Sequence, residues 1–392
     1  MRTSSADIIG HEALPALYRP TESAQGLPAA AYTSEEFLKL ERQRLFPRHW
    51  MGVGFDSDVP TSGDAWPISA AGWPLLMVRG RDGHLRVFHN ICPHRGMSPV
   101  SEPCRNLSTI RCPWHSWTYD LDGTLIAQPN IGGVGINQAD GFDRATLGLR
   151  EVRSDVFLDT VFVNLDGKAP PLADYVAPFT RYFRDFDFSL LRRDHARGSD
   201  GYWDVNWKIG FESGIEDYHL PWVHPELFER PVPWQGRGFV DGMMIGTEDE
   251  ISNEHRSSIV DVEKDALPVF PGLPDGAAWR GNFMMIFPNV GFTVLADHFD
   301  SFIMLPETPT RSWLHSALYF VGDEALTPRF EAARQKVREA WDLIGEQDVP
   351  VARRVQANQF ARDAAGIPNR FSPVWENAIQ RFQQLVVEGI DH

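Results

Sequence analysis

Cysteine is scarce in this chain: three among 392 residues, at Cys92, Cys104 and Cys112. An odd, sparse set does not read as a secreted disulfide framework, and two of the three stand at a metal-ligand spacing, so a reducing cytosol is the expected home. Basic charge is short as well. Lys and Arg number 37 against 53 Asp and Glu, a formal net charge of −16. That argues against nucleic acid, whose phosphate backbone needs a basic face, and against an anionic membrane surface; solubility is explanation enough for the acidity. No run approaches the roughly 20 apolar residues that span a bilayer. Met1 to Gly10 lacks the basic-then-apolar pattern of a secretory signal, and neither an internal repeat nor a low-complexity tract is present. Aromatic residues, by contrast, are plentiful, with 13 Trp and 25 Phe. The length is enough for two packed domains with large cores.

The texture changes twice along the chain. Residues 1–31, rich in Pro, Ala and Ser, are expected to be irregular. Thr33 and Glu36 are spaced as a capping box, opening a helix that Pro47 ends. From Trp50 short β segments and tight turns take over. Leu75–Val78 and Leu85–Phe88 flank Gly80-Arg81-Asp82-Gly83, a hairpin signal, and Tyr119–Leu125 is another. This β region closes near Val161–Leu165, and Asp166–Pro171 marks a boundary. Beyond it helix and sheet mix. Residues 203–228 look helical but are broken by Pro221 and Pro225. Phe283–Phe287 and Ser312–Phe320 read as strands. Thr327-Pro328 starts a long helix, and an amphipathic helix runs from about Val374 with Trp375, Ile379, Phe382 and Val386 on one stripe. The expected fold is α+β, with an antiparallel sheet in the second domain.

Cys92-Pro93-His94 and Cys112-Pro113-Trp114-His115 place two thiolates and two imidazoles within reach of one centre, with seventeen residues between His94 and Cys112. Each pair sits in a tight loop preceded by a β segment. Soft thiolates suit zinc or iron–sulfur, and two added histidines suit a Rieske [2Fe–2S] centre, in which both His bind one iron and raise the potential. A Cys2His2 zinc site uses the same ligand set. Cys104 lies between the halves and reads as a free, structural thiol.

The flanking residues narrow this. Cys92–Gly96 and Cys112–Gly123 resemble the Rieske domain of ring-hydroxylating oxygenase α subunits. The resemblance implies a small all-β Rieske domain over 46–168, a larger helix-grip catalytic domain over 169–392, and an N-terminal segment, 1–45, packed on the latter.

A second cluster of ligand types lies in Glu212–His224. On an ideal helix His219 and His224 point about 140° apart, but Pro221 breaks that ideality and brings them together. Two imidazoles and one carboxylate form the facial triad of non-haem Fe(II) oxygenases. The carboxylate is expected from the helix after Pro328. Phe330, Ala333, Val337, Trp341 and Ile344 make an apolar stripe that Asp348 extends by four residues, and a buried carboxylate is costly unless paired or metal-bound. Asp342 and Glu346 fall off that stripe.

The same family resemblance covers Asn206-Trp207-Lys208, Glu212, Glu216–His219, His224–Leu227, Glu346-Gln347-Asp348 and Gln356. It implies that His219, His224 and Asp348 bind Fe(II), and that Glu216 links the Rieske histidine of one subunit to the iron histidine of its neighbour in a homotrimer. Glu rather than Asp at 216 is similar to the branch that oxidises carnitine, choline or glycine betaine. Ser213 departs from that branch, where Asn is usual, which leaves the pocket less defined.

Two redox centres in one chain imply that the cluster supplies electrons and the lone iron activates O2 against a small substrate. No third electron site is present. Gly236–Gly242 is glycine-rich but lacks dinucleotide-binding spacing and is expected to be a loop. Electrons therefore come from NAD(P)H through a separate reductase, with or without a ferredoxin. The pocket is expected around 203–228 and the 282–305 sheet, where Trp203, Trp207, Phe211, Tyr218 and Trp222 could hold a quaternary ammonium group or stack on an aromatic ring. The leading expectation is a cytoplasmic Rieske monooxygenase that hydroxylates or N-demethylates such a compound. The alternatives are an aromatic-ring hydroxylating dioxygenase or demethylase, a Rieske electron carrier and a zinc-stabilised binding protein.

Overall fold

Between Trp50 and Ala169 nearly every hydrogen-bonded segment is a short strand. A computed structural model describes residues 3–225, 237–250, 266–274 and 280–392, and divides into two units: Trp50–Ala169, and Met1–His49 together with Pro170–His392.

In the first unit six antiparallel strands run in the spatial order Met51–Phe55, Thr160–Asn164, Glu151–Phe157, Leu85–His89, Trp73–Arg79, Ala65–Ala70. The hairpin at Gly80–Gly83 forms as its turn residues require, with Gly83 at φ +80°. A second sheet holds Ile110–Arg111, Thr118–Tyr119 and Leu125–Ala127. Its core gathers Leu76, Val78, Phe88, Ile110, Tyr119 and Leu125, and both Cys92 and Cys112 are buried within it. Gly123 allows the close packing: a Cβ there would stand 2.6 Å from the Phe88 ring, and its φ is +86°.

The other unit is built on one antiparallel sheet. Leu191–Arg193 and Ser199–Trp203 both pair with Arg311–Val321; then follow His298–Thr308, Val290–Val294, Arg280–Ile286, Met244–Glu250 and Arg237–Asp241. The long helix, Glu331–Ala364, is entered by a 3-10 turn at Pro328–Phe330 with Thr327 at its N-cap. Phe330, Ala333 and Val337 pack on Leu318 and Phe320 of the sheet, so the apolar stripe of this helix is its buried face. The last helix, Asn377–Asp391, buries Ile379, Phe382, Val386 and Ile390. Phe382 meets Trp207 at 5.6 Å and Phe287 at 6.0 Å between ring centroids.

Several local expectations change. Residues 1–31 contain helices at Ser5–Ile9 and Ala13–Leu17 and the start of a third, Ala30–Thr33. Each is too short to show periodicity, and tertiary contacts supply the support: the Ser5 amide and hydroxyl donate to Asp391 at 2.8 and 2.5 Å. Ser34, not Thr33, caps the next helix, accepting from the Phe37 amide at 3.2 Å, while the Thr33 hydroxyl donates to the Ala29 carbonyl. Pro47 does not end that helix but sits in the first turn of a short segment, Phe46–Arg48, after a π turn. The last helix begins at Asn377 rather than Val374. Residues 203–228 hold two short helices, Trp207–Glu212 and Leu220–Val223; 226–228 lie outside the described residues, as does Gly236. Arg237–Asp241 is a strand, not a loop, because it pairs with Met244–Glu250. Among the described residues no helix is long and apolar enough to cross a membrane.

Candidate metal centres and active-site cavity

The two Cys–His loops are built alike. In each, the amide four residues after the cysteine returns to the cysteine carbonyl: Gly96 to Cys92 at 2.9 Å and Ser116 to Cys112 at 3.0 Å. The cysteine amides then donate to Met97 and Trp117, each at 2.8 Å. Gly96 and Ser116 both adopt left-handed backbone, φ +80° and +59°, which turns each loop tightly enough for its Cys and His to point the same way. Both thiols are buried and both imidazoles are partly exposed. The His94 and His115 rings are 4.5 Å apart, and His94 stacks on Trp117 at 4.7 Å. The Cys92 Sγ lies 2.9 Å from the Tyr119 hydroxyl, and burial raises the Cys92 thiol pKa against that contact. Two buried sulfurs and two adjacent, partly exposed imidazoles suit the ligand set of a Rieske [2Fe–2S] cluster, which these four residues would hold. Cys104 is a free, half-buried thiol that packs against this core.

The second cluster assembles around one helical turn. His219 is the residue before Leu220–Val223 and His224 the residue after it. Pro221 therefore starts a one-turn helix rather than breaking a long one, and the imidazoles end 5.3 Å apart. The long helix adds Asp348: its Oδ1 is 3.0 Å from the His224 Nε2 and 3.7 Å from the His219 Nε2. One ligand atom from each of the three residues lies within 4.8 Å of the others. The outer nitrogens are held. His219 Nδ1 is 2.5 Å from Glu216 Oε1, and His224 Nδ1 is 2.7 Å from Gln347 Oε1. Acceptors at Nδ1 leave Nε2 as the inward lone pair, the arrangement a metal requires. Burial pulls the His219 pKa down, but the Glu216 carboxylate, then Asp348, outweigh it and the net shift is upward. The other Glu216 oxygen accepts from the Tyr218 and His219 amides.

Deeper residues hold this arrangement. Asn206 caps Trp207–Glu212, and its amide donates to Gln356 Oε1 at 2.8 Å, tying that helix to the one carrying Asp348. Lys208 pairs with Glu41 at 2.6 Å with both side chains fully buried. Glu212 accepts from Tyr32 and Gln383 at 2.7 and 2.9 Å, and burial pushes it up to about 7. Asp217, pushed by burial to about 6, accepts from the Thr247 hydroxyl.

A cavity of about 570 Å³ opens onto His219, His224 and Asp348. Trp203 and Phe211 line it as expected, joined by Phe283, Phe292, Phe302 and Trp341. Three expected aromatics are elsewhere. Trp207 is wholly buried, packed by Phe46 and Phe382. Tyr218 and Trp222 are exposed, by 49% and 79%; Tyr218 precedes the short helix and stacks on Trp375 at 6.0 Å, and Trp222 lies within that helix. Sequence reasoning gave no role to Gln347, Tyr119 or the cavity residue Asp300. The first adjoins Asp348 and the second lies in the quoted loop motif, but neither hydrogen bond leaves a trace in spacing.

A β unit with paired Cys–His loops and, in the same chain, a helix-and-sheet unit with a two-histidine, one-carboxylate cluster define a Rieske-type non-haem iron oxygenase. Comparisons agree. The Rieske [2Fe-2S] domain matches residues 49–138, and the ring hydroxylating alpha subunit (catalytic domain) matches 188–392. The chain belongs to the ring-hydroxylating α-subunit family, as a terminal oxygenase component.

Among its relatives, the glycine betaine monooxygenase oxygenase subunit of Pseudomonas aeruginosa is 22% identical across 93% of this chain and 89% of its own. The carnitine monooxygenase oxygenase subunit of Acinetobacter pittii is 23% identical across 92% and 94%. The 2-aminobenzenesulfonate 2,3-dioxygenase α subunit of an Alcaligenes species is 33% identical, but across 50% and 49%. The same fold appears in a quaternary ammonium Rieske monooxygenase solved with L-carnitine, at TM-score 0.76, 21% identity and 95% and 97% coverage. It appears again in naphthalene 1,2-dioxygenase from Rhodococcus, at TM-score 0.74, 20% identity and 97% and 99% coverage.

Proposed function

We propose that this chain hydroxylates or oxidatively N-demethylates a small quaternary ammonium compound of the betaine, carnitine or choline kind. One observation carries the reading: the cavity at His219, His224 and Asp348 is walled by aromatic rings. A desolvated ring face attracts a quaternary ammonium by about 1–2 kcal/mol. The full-length relatives named for glycine betaine and carnitine support it.

In this reading His219, His224 and Asp348 hold the mononuclear iron, and Cys92, His94, Cys112 and His115 hold the cluster; residues 46–168 form the Rieske domain and 169–392 the catalytic domain, on which 1–45 packs. When bound, these centres supply stored electrons and O2 activation. The chain supplies the rest. Glu216 fixes the His219 tautomer through Nδ1, and Gln347 does the same for His224. The apolar walls exclude water. In a head-to-tail homotrimer, Glu216 would receive a Rieske imidazole from a neighbouring subunit. Electrons come from NAD(P)H through a separate reductase, alone or with a ferredoxin, in the cytoplasm.

The test is substrate-dependent O2 uptake by the holoenzyme with a reductase and NADH, across glycine betaine, carnitine, choline and 2-aminobenzenesulfonate. Uptake with a quaternary substrate is expected, with release of trimethylamine or formaldehyde where the hydroxylated carbon adjoins nitrogen, or formation of the aldehyde where it is the carbinol carbon of choline. Uptake with the aromatic sulfonate alone would replace this reading with a second one, an aromatic-ring dioxygenase or demethylase, which the 33% identity to such an α subunit favours.

A further inference from the structure

One carboxylate in the cavity has no part in the chemistry above. Asp300 lies on the strand His298–Thr308, on the same face as Phe302 and Met304, and all three line the cavity. Its neighbours across the sheet are Thr293 on one side and Leu318 on the other, and Phe283 stands beyond Thr293. Neither a hydrogen bond nor an ion pair to its side chain is found among the described residues. Of the other acids there, Glu216 is engaged by His219, Asp217 by Thr247, Asp342 by Arg338 and Asp348 by His224, while Glu346 is exposed on the long helix, two residues before Asp348. Asp300 is only partly exposed, and much of the cavity wall is apolar, so the unpaired carboxylate carries part of the desolvation cost of burial, which a ligand donor would relieve.

Two paths through the structure place Asp300 away from the metal cluster. Along the sheet, its row continues from Thr293 and Phe283 to Thr247, which holds Asp217 beside His219. That is three strand spacings, about 14 Å. The pull on Asp300 comes first from His298, two residues before it on its own strand, and then from Arg338 on the long helix, where Trp341 packs on His298. Trp341 lies seven residues before Asp348, two turns or about 10 Å. A small substrate oxidised next to its nitrogen would present its other end to Asp300.

We infer that Asp300 is a specificity-determining residue that takes a cationic or hydrogen-bond-donating group at the end of the substrate remote from the metal centre, and rejects a carboxylate there. The inference rests on the proposed quaternary ammonium reading for the near end only. Arg338 is no substitute hook for an anion. Its Nε and Nη2 are taken by Asp342, and its Nη1 donates to the Arg197 carbonyl at 3.2 Å. Burial pushes the Asp300 carboxyl up to about 7, against the pull of His298 and Arg338; a facing ammonium would favour its charged form. Within the proposed class this narrows the substrate to the choline-like members, which carry no carboxylate, because a betaine or carnitine would set its own carboxylate against this acid.

The experiment measures binding to the holoenzyme by calorimetry with two matched probe pairs. The first pair, (3-aminopropyl)trimethylammonium and γ-butyrobetaine, differs only in the distal charge. The second, 2-phenylethylammonium and 3-phenylpropionate, carries the same contrast without a quaternary head. The ammonium member of each pair is expected to bind at least tenfold tighter. Asp300→Asn, and separately Asp300→Ser, are expected to bring both ratios within threefold of one, with cluster colour and iron content unchanged. Equal or reversed affinities in the wild type, a preference that survives both substitutions, or no binding by any probe would overturn the inference. Discrimination confined to the aromatic pair would sustain Asp300 and sink the quaternary ammonium reading. Quaternary probes that bind and turn over without discrimination would do the reverse.

Discussion

Gln347 and His224 meet at 2.7 Å through the amide oxygen and Nδ1, and the next residue, Asp348, faces the opposite nitrogen of the same imidazole at 3.0 Å. Successive residues of one helix thus grip both edges of one ring. Outer-shell partners of this kind set ligand orientation and change metal affinity by about 10- to 100-fold when lost. Gln347→Leu is therefore expected to lower mononuclear iron affinity by about that range, leaving the cluster spectrum unaltered. Iron titration of the apo catalytic site checks it, and unchanged affinity would deny Gln347 the role.

Tyr119 offers a comparable contact in the other unit. Its hydroxyl is 2.9 Å from the Cys92 sulfur, and both are buried. Hydrogen bonds to cluster sulfurs stabilise the reduced, more negative state. Tyr119→Phe is expected to lower the cluster potential by tens of millivolts, since about 59 mV equals a tenfold change for one electron. Dye-coupled redox titration reads the midpoint; a potential at or above the wild-type value would refute the contact's role.

How much of this was legible in the sequence follows from what each signal encodes. The Cys–His loops were readable because ligands close in sequence need only a short turn. Asp348 was readable because helical period carries over many residues, and the helix proved unbroken through Pro350. Trp207, Tyr218 and Trp222 were misplaced because the direction of a side chain depends on where a short helix begins: one starts at Trp207, which is buried, and the next only at Leu220, which leaves Tyr218 ahead of it. The Asn206–Gln356 tie and the His224–Gln347 bond join polar residues across long separations, and composition gives no hint of such partners. Asp300 sits in a strand whose alternation says which face it shares, not that the face borders a cavity.

The Lys208–Glu41 pair, 2.6 Å apart and inaccessible, also meets the Trp207 indole, which donates to Glu41 at 3.2 Å. Desolvation raises the Glu41 pKa and lowers that of Lys208. Removing one partner strands a buried charge, at a cost of about 3–5 kcal/mol. Glu41→Gln is expected to show that loss as a lower thermal midpoint, whereas Glu41→Leu with Lys208→Met recovers most of it. A double variant as unstable as the single would mean that packing, not charge, dominates.

Glu212 makes stability depend on pH. Burial is the largest cause of its rise from 4.5 to about 7, opposed by the Tyr32 and Gln383 hydrogen bonds and then by Lys208. A carboxyl with a raised folded-state pKa binds its proton more tightly when folded, so its contribution is complete below the unfolded value and is lost as pH rises through about 7. Asp217 acts in the same direction up to about 6. Glu212→Gln is expected to flatten the fall in denaturation midpoint between pH 5 and pH 8. An unchanged slope would assign the pH dependence to other groups.

Glu216 uses both oxygens at once, one at the His219 Nδ1 and one at the Tyr218 and His219 amides. A glutamine can keep only one of these sets, because its amide nitrogen cannot accept, and it loses the charge that would receive a neighbouring subunit's imidazole. If Glu216 lies on the electron route, Glu216→Gln should keep the cluster and, loaded at saturating iron to offset a weakened His219, the mononuclear metal as well, yet slow reoxidation of the cluster at least tenfold in a single-turnover, rapid-mixing experiment. Rapid reoxidation together with full iron content would remove the carboxylate from the route and leave it only the task of orienting His219.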